Sequence, residues 1–135
     1  MNTASAEKWG RSLAAFLVKH GKQNPFVLAL QLGWRVVLEN AEERCPGVPP
    51  RLAEWDGRQR TIRLFLPMLQ RYLGASSLTL QRACAHELFH GLASSHYRLL
   101  PFHDFAIPKL NHHEEEMAAH AFSEALLQIQ AEEEK

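Results

Sequence analysis

The sequence predicts an α+β fold: a small three-stranded, mostly antiparallel sheet packed against N-terminal helices, a central helix and a C-terminal helix. Three observations predict it. Apolar residues recur at helical spacing near the start of the chain and again over much of residues 77–129. Between these stretches, Ile62, Leu64 and Leu66 alternate with Thr61, Arg63 and Phe65, the period of a half-buried strand. That strand follows Asp56-Gly57, a preferred hairpin pair, so an antiparallel neighbour precedes it.

Each element has a local cause. Ala4 to His20 places Trp9, Leu13, Phe16 and Leu17 at helical spacing, and Gly21 is a natural stop. Asn24 caps a second short helix with Pro25 at its first position, and Gly33 ends it. Trp34 to Leu38 is β-branched and aromatic, hence a strand. Glu39 to Pro50 holds Cys45-Pro46-Gly47 and Pro49-Pro50, hence a loop. The hairpin arms are Arg51 to Trp55 and Arg60 to Leu66, with Pro67 opening a short helical turn through Tyr72 before Gly74. Ser77 to Ser94 is a long helix with Leu80, Cys84, Leu88 and Leu92 on one stripe. A loop with Pro101 and Pro108 leads to the last helix, which opens on a capping box of Asn111 and Glu114. Residues 1–135 read as a single domain whose last few residues, 130–135, fray.

Composition narrows the function. With 15 Lys+Arg against 15 Asp+Glu, the zero net charge removes the electrostatic case for direct nucleic-acid or membrane-surface binding. No apolar run approaches the roughly 18 residues of a membrane span. The N-terminus does not read as a signal peptide, and two cysteines, Cys45 and Cys84, suit a reducing cytoplasm. Cys84 lies on the apolar stripe and reads as an inert core thiol. Of 8 histidines, all but His20 fall between His86 and His120.

The informative stretch is His86-Glu87-Leu88-Phe89-His90. Imidazoles at i and i+4 share a helix face and can reach one metal ion. Glu87 is offset toward the position of a water on that ion, where a carboxylate serves as general base in amide hydrolysis. A catalytic zinc needs a third protein ligand. Glu114, Glu115 and Glu116 on the next helix are three choices, and as helix N-terminal acids they also complement the dipole. His96 is another, at the spacing of the metzincin peptidases, which place Gly where this chain has Ala93. His112 and His113 could stabilise an oxyanion or simply sit exposed at a helix start. His103 with Asp104 forms a weaker pair. His120 shares a face with Glu116 and either orients it, lines the pocket or packs. Trp34, Trp55 and Phe65 read as core or sheet-surface residues.

The chain resembles the ImmA/IrrE family of metallopeptidases, best known for cleaving helix-turn-helix repressors. Residues 24–127 carry the resemblance. Glu116-Met117-Ala118-Ala119-His120-Ala121-Phe122-Ser123-Glu124-Ala125-Leu126-Leu127 fits the family's second helix, Glu-x-x-Ala-x-x-Phe-Ala-x-x-Leu-Leu. Asn24-Pro25 through Val36 looks like its opening helix and strand, and Arg60 to Leu64 like the strand beside the active site, which can pair with extended substrate. Phe89 stands where the family usually has Gly, His120 where Asn or Asp is usual, and Gln128-Ile129 where Met-Pro is common.

The resemblance implies a zincin-like, gluzincin-type minimal metallopeptidase. It would hold one Zn2+ (or Mn2+) on His86, His90 and Glu116, with Glu87 as general base. The expected substrate is a protein or peptide such as a helix-turn-helix repressor, cut in the cytoplasm. The alternative is a metal-containing but non-catalytic protein-binding module of the same fold. Oligomeric state is left open.

Overall fold

Asn2 accepts a hydrogen bond from the Ser5 N–H (2.8 Å) and so starts the first helix, α1 (Thr3–Lys19). In this computed structural model, which describes residues 2–22, 24–40, 51–74, 76–94 and 109–133, seven further elements follow. They are α2 (Pro25–Gln31), β1 (Arg35–Glu39), β2 (Ala53–Asp56), β3 (Thr61–Phe65), α3 (Leu66–Leu73), α4 (Ser77–Ser94) and α5 (His112–Glu133). The class is α+β, as expected. The expected loop at Cys45-Pro46-Gly47 lies outside the described residues, as do His96, His103 and Asp104.

The capping chemistry read from the sequence is present. Asn24 accepts from the Phe26 and Val27 N–H groups above Pro25. The Asn111 and Glu114 side chains each accept from the other's backbone N–H, at 2.8 and 3.0 Å. The α5 backbone runs through Glu133, so the segment expected to fray is helical up to there.

The sheet differs from expectation. Its order is β1-β3-β2, with β3 antiparallel to β2 but parallel to β1, so it is mixed rather than mostly antiparallel. The reason is burial. Thr61, Ile62, Leu64 and Phe65 are all buried, so β3 takes the centre, where both faces and both edges are covered. The hairpin makes β2 antiparallel to β3, while β1, on the other edge, runs parallel to it. The hairpin turn is also longer than two residues: Asp56 closes β2 opposite Thr61, its Oδ1 accepts from the Arg58 and Gln59 N–H groups, and Arg60 sits at φ +49°.

The register separates the two faces of the sheet. Val36, Leu38, Ala53, Trp55, Ile62 and Leu64 share the face that receives α4. On the opposite face Arg63 donates to Glu54 and Asp56, both at 2.9 Å, with Glu39 at 3.8 Å. The Arg63 bond and backbone N–H groups of the turn hold the Asp56 carboxyl below its ordinary 3.8.

The core forms where α1, α4 and α5 meet. Leu13, Leu17, Leu88, Leu92, Phe122 and Leu126 are fully buried. Phe89 packs edge-on to Trp9 and tilted against Phe122, with centroids 5.6 Å apart in both cases. Two glycines permit close approach. A Cβ on Gly10 would lie 2.4 Å from the Ala118 carbonyl oxygen, and one on Gly91 would lie 2.8 Å from the Trp34 ring. Trp34 itself packs against Trp55, with ring centroids 4.5 Å apart and the planes tilted by 45°. Cys84 is buried, which pushes its thiol up to about 12 and makes it inert, as read. No helix among the described residues is long and apolar enough to cross a membrane.

Two predictions follow from this packing. Gly10→Ala forces α1 away from α5 and lowers stability by about 1–3 kcal/mol in urea unfolding, where an exposed helical Gly→Ala would raise it. Because Asp56 titrates below its unfolded value, its share of stability is complete above about pH 4 and fades as pH falls through the folded value. Arg63→Gln removes that share, so the stability gap between variant and wild type narrows in acid.

Candidate metal centre

The site is built by two helix segments that meet beside the β2 edge. On α4, Cys84, Leu88 and Leu92 face the core, which turns His86 and His90 to the opposite, half-buried side. Near its start α5 carries three consecutive glutamates, and each has a different task. Glu114 is buried in the capping box. Glu115 Oε2 lies 2.5 Å from His90 Nδ1. Glu116 lies with Oε1 2.7 Å from His90 Nε2 and Oε2 3.4 Å from His86 Nε2.

His86 and His90 face each other Nε2 to Nε2 at 3.2 Å. Ligand atoms of His86, His90 and Glu116 all lie within 4.8 Å of one another, so the set can hold a metal ion. The donor chemistry fits one. A tetrahedral ion with bonds of about 2.0–2.1 Å holds its ligand atoms about 3.3 Å apart. The His86–His90 and His86–Glu116 separations match that spacing, and the 2.7 Å contact needs only a small opening. With the Nδ1–H of His90 committed to Glu115, its Nε2 turns a lone pair toward the other two ligands. Three lone pairs converging on one point are best satisfied by a shared cation. Burial, and then the nearby His90, hold the His86 imidazole below its ordinary 6.5, so it is neutral and ligand-ready at neutral pH.

Glu87 stands where the sequence placed it, one residue beyond His86 and directed at the same space. Two cavities flank the centre, of about 480 and about 440 Å³, and Glu87 and Glu116 line both. Burial pushes the Glu87 carboxyl up to about 7, with His90 opposing and Glu116 assisting. The first cavity is walled by Leu52, Leu69, Leu73 and Ala83, and the Arg82–Glu124 ion pair (3.3 Å) joins α4 to α5 beside it. The second is lined by polar groups, Glu54, Ser94, His112 and Glu115 among them, together with Trp55. Arg51 and Ala53 border both.

Several sequence readings are refined here. Of the remaining histidines, His120 lines the first cavity and His112 the second, while His113 is exposed and borders neither. Arg60 to Leu64 does not lie beside the site with a free edge. It forms the sheet centre, paired on both sides, and the edge facing the centre belongs to β2. Phe89, which stands where the resembled family has Gly, points into the core between Trp9 and Phe122. The contacts of Glu115 and Arg51 were invisible in the sequence, since neither has a spacing relation to His86 or His90. Comparison with models of known families, with curated proteins and with solved structures finds no match.

The geometry separates the three glutamates experimentally. Glu116→Ala abolishes tight metal binding in calorimetric titration. Glu115→Gln weakens it by about 10–100-fold, because the hydrogen bond that orients His90 is lost. Glu114→Gln leaves affinity near that of the wild type and costs only helix stability.

Proposed function

We propose that this protein is a metal-dependent endopeptidase, with zinc as its ion, of the kind the ImmA/IrrE resemblance implies. The observation that carries the reading is the convergence of His86, His90 and Glu116 where two cavities meet, with Glu87 lining both. When bound, the ion supplies a Lewis acid that polarises a carbonyl and acidifies a water.

The chain's own residues do the rest. Glu87 accepts a proton from the attacking water and delivers it to the departing amine, a shuttle suited to a carboxyl poised near neutrality. Glu115 keeps the His90 ring oriented and its Nε2 free to ligate. Extended substrate lies along β2. The bond from Phe65 N–H to the Leu52 carbonyl, and the Glu54–Arg63 pairing, direct alternate residues of β2 toward β3. The backbone groups of Ala53 and Trp55 therefore point the other way, toward the centre. A peptide added there would place an apolar side chain among Leu52, Leu69 and Leu73, and a polar one on the His112 side. By the resemblance, the cleaved protein is a transcriptional repressor or another regulatory protein, and the compartment is the cytoplasm.

The test is a digest of a proteome-derived peptide library by zinc-reconstituted protein. Cleavage is expected for the wild type. In Glu87→Gln the rate falls by about 10²–10⁴-fold while one metal per chain is retained. Equal rates for the two proteins would remove Glu87 from the mechanism, and no cleavage by either would refute the peptidase reading.

A further inference from the structure

Both edge strands of the sheet lack a strand partner on one side among the described residues. The outer edge of β2 faces the metal centre. The outer edge of β1 lies at the opposite side of the sheet, away from both cavities, and carries no proline, no lysine and no bulge within Arg35–Glu39. We propose that this edge is a homodimer interface, in which β1 pairs antiparallel with β1 of a second copy about a two-fold axis at Val37.

The backbone sets the register. The Arg35 N–H donates to the Arg60 carbonyl, so the polar groups of Arg35, Val37 and Glu39 point at β3. Those of Val36 and Leu38 consequently point outward. An antiparallel ladder alternates hydrogen-bonded and non-hydrogen-bonded pairs. Centred on Val37, it makes Val36 and Leu38 of opposite copies the hydrogen-bonded pairs, so every outward group of both residues is used. No other symmetric register in this strand does so.

The side chains agree with that register. The strand reads Arg-Val-Val-Leu-Glu, so the same two-fold sets Arg35 of each copy against Glu39 of the other. Two opposite-charge cross-strand pairs result, with Val37 meeting itself between them. Glu39 is available for this, because its 3.8 Å contact with Arg63 is looser than the 2.9 Å bonds Arg63 makes to Glu54 and Asp56. Three of the large apolar side chains left exposed belong to this strand and the helix packed on it: Leu38 at 52%, Leu30 at 75% and Val27 at 49%. Pairing at β1 yields a six-stranded sheet and leaves each β2 edge, and so each metal centre, open. A ladder this short gives a concentration-dependent dimer rather than an obligate one.

Sedimentation velocity across the micromolar range tests the proposal, with circular dichroism confirming the fold of each variant. Wild type is expected to move from monomer to dimer with concentration. Arg35→Glu places like charges opposite each other and raises the dissociation constant about ten-fold or more, and Glu39→Arg does the same. An equimolar mixture of the two single variants restores dimer, because each copy then supplies the charge the other lacks. Leu38→Pro removes one outward N–H without touching the β1–β3 ladder and also dissociates the dimer. A wild type that stays monomeric, or single variants that dimerise like wild type, would overturn the proposal.

Discussion

Phe89 sits between Trp9 and Phe122, and its burial is the constraint on which the candidate metal centre rests. It directly precedes His90, so the side of α4 that enters the core dictates the side that carries the imidazoles. The same contact brings α5 alongside α4, and with it the start of α5 that holds Glu114, Glu115 and Glu116. Helix α1 completes the clamp from behind α5, close enough at Gly10 that only a hydrogen fits against the Ala118 carbonyl. The candidate ligands are thus positioned by an apolar three-helix junction packed on the far side of α4.

The electrostatics follow the same division. Two charged systems occupy opposite faces of the small sheet, because successive residues of a strand face opposite ways, and they meet at Glu54, which pairs with Arg63 and also lines the second cavity. On one face Arg63 gathers Glu39, Glu54 and Asp56 into a solvated cluster that ties the three strands together. On the other, the groove between β2, α4 and α5 is dry enough to raise Glu87 and to keep His86 neutral. Both shifts have burial as their leading cause, and both suit groups that work beside a cation.

Much of the fold was legible along the chain because its signals are local. Asn24 and the Asn111–Glu114 box each satisfy N–H groups within three residues. The helix from Ser77 to about Ser94 was readable from its apolar stripe. The failures share a cause too. The hairpin turn ran longer than Asp56-Gly57 suggested, since Asp56 serves as last strand residue and turn cap at once. The strand expected beside the site proved to be the sheet centre, because its burial on both faces shows only when the helices are in place.

By itself, the sequence determined the elements, their caps, and a helix that presents two imidazoles and a carboxylate on one face. These depend on contacts spanning a few residues, and backbone geometry specifies them. Only the tertiary structure decided the rest: which strand is central, which cavities flank Glu87, and which of three adjacent glutamates does what. Helical neighbours lie about 100° apart, so the choice among capping Asn111, orienting His90 and completing the ligand set depends on how α5 is rotated against α4. That rotation is set by side chains packed across the helix interface, and the His90–Glu115 contact spans 25 residues of chain.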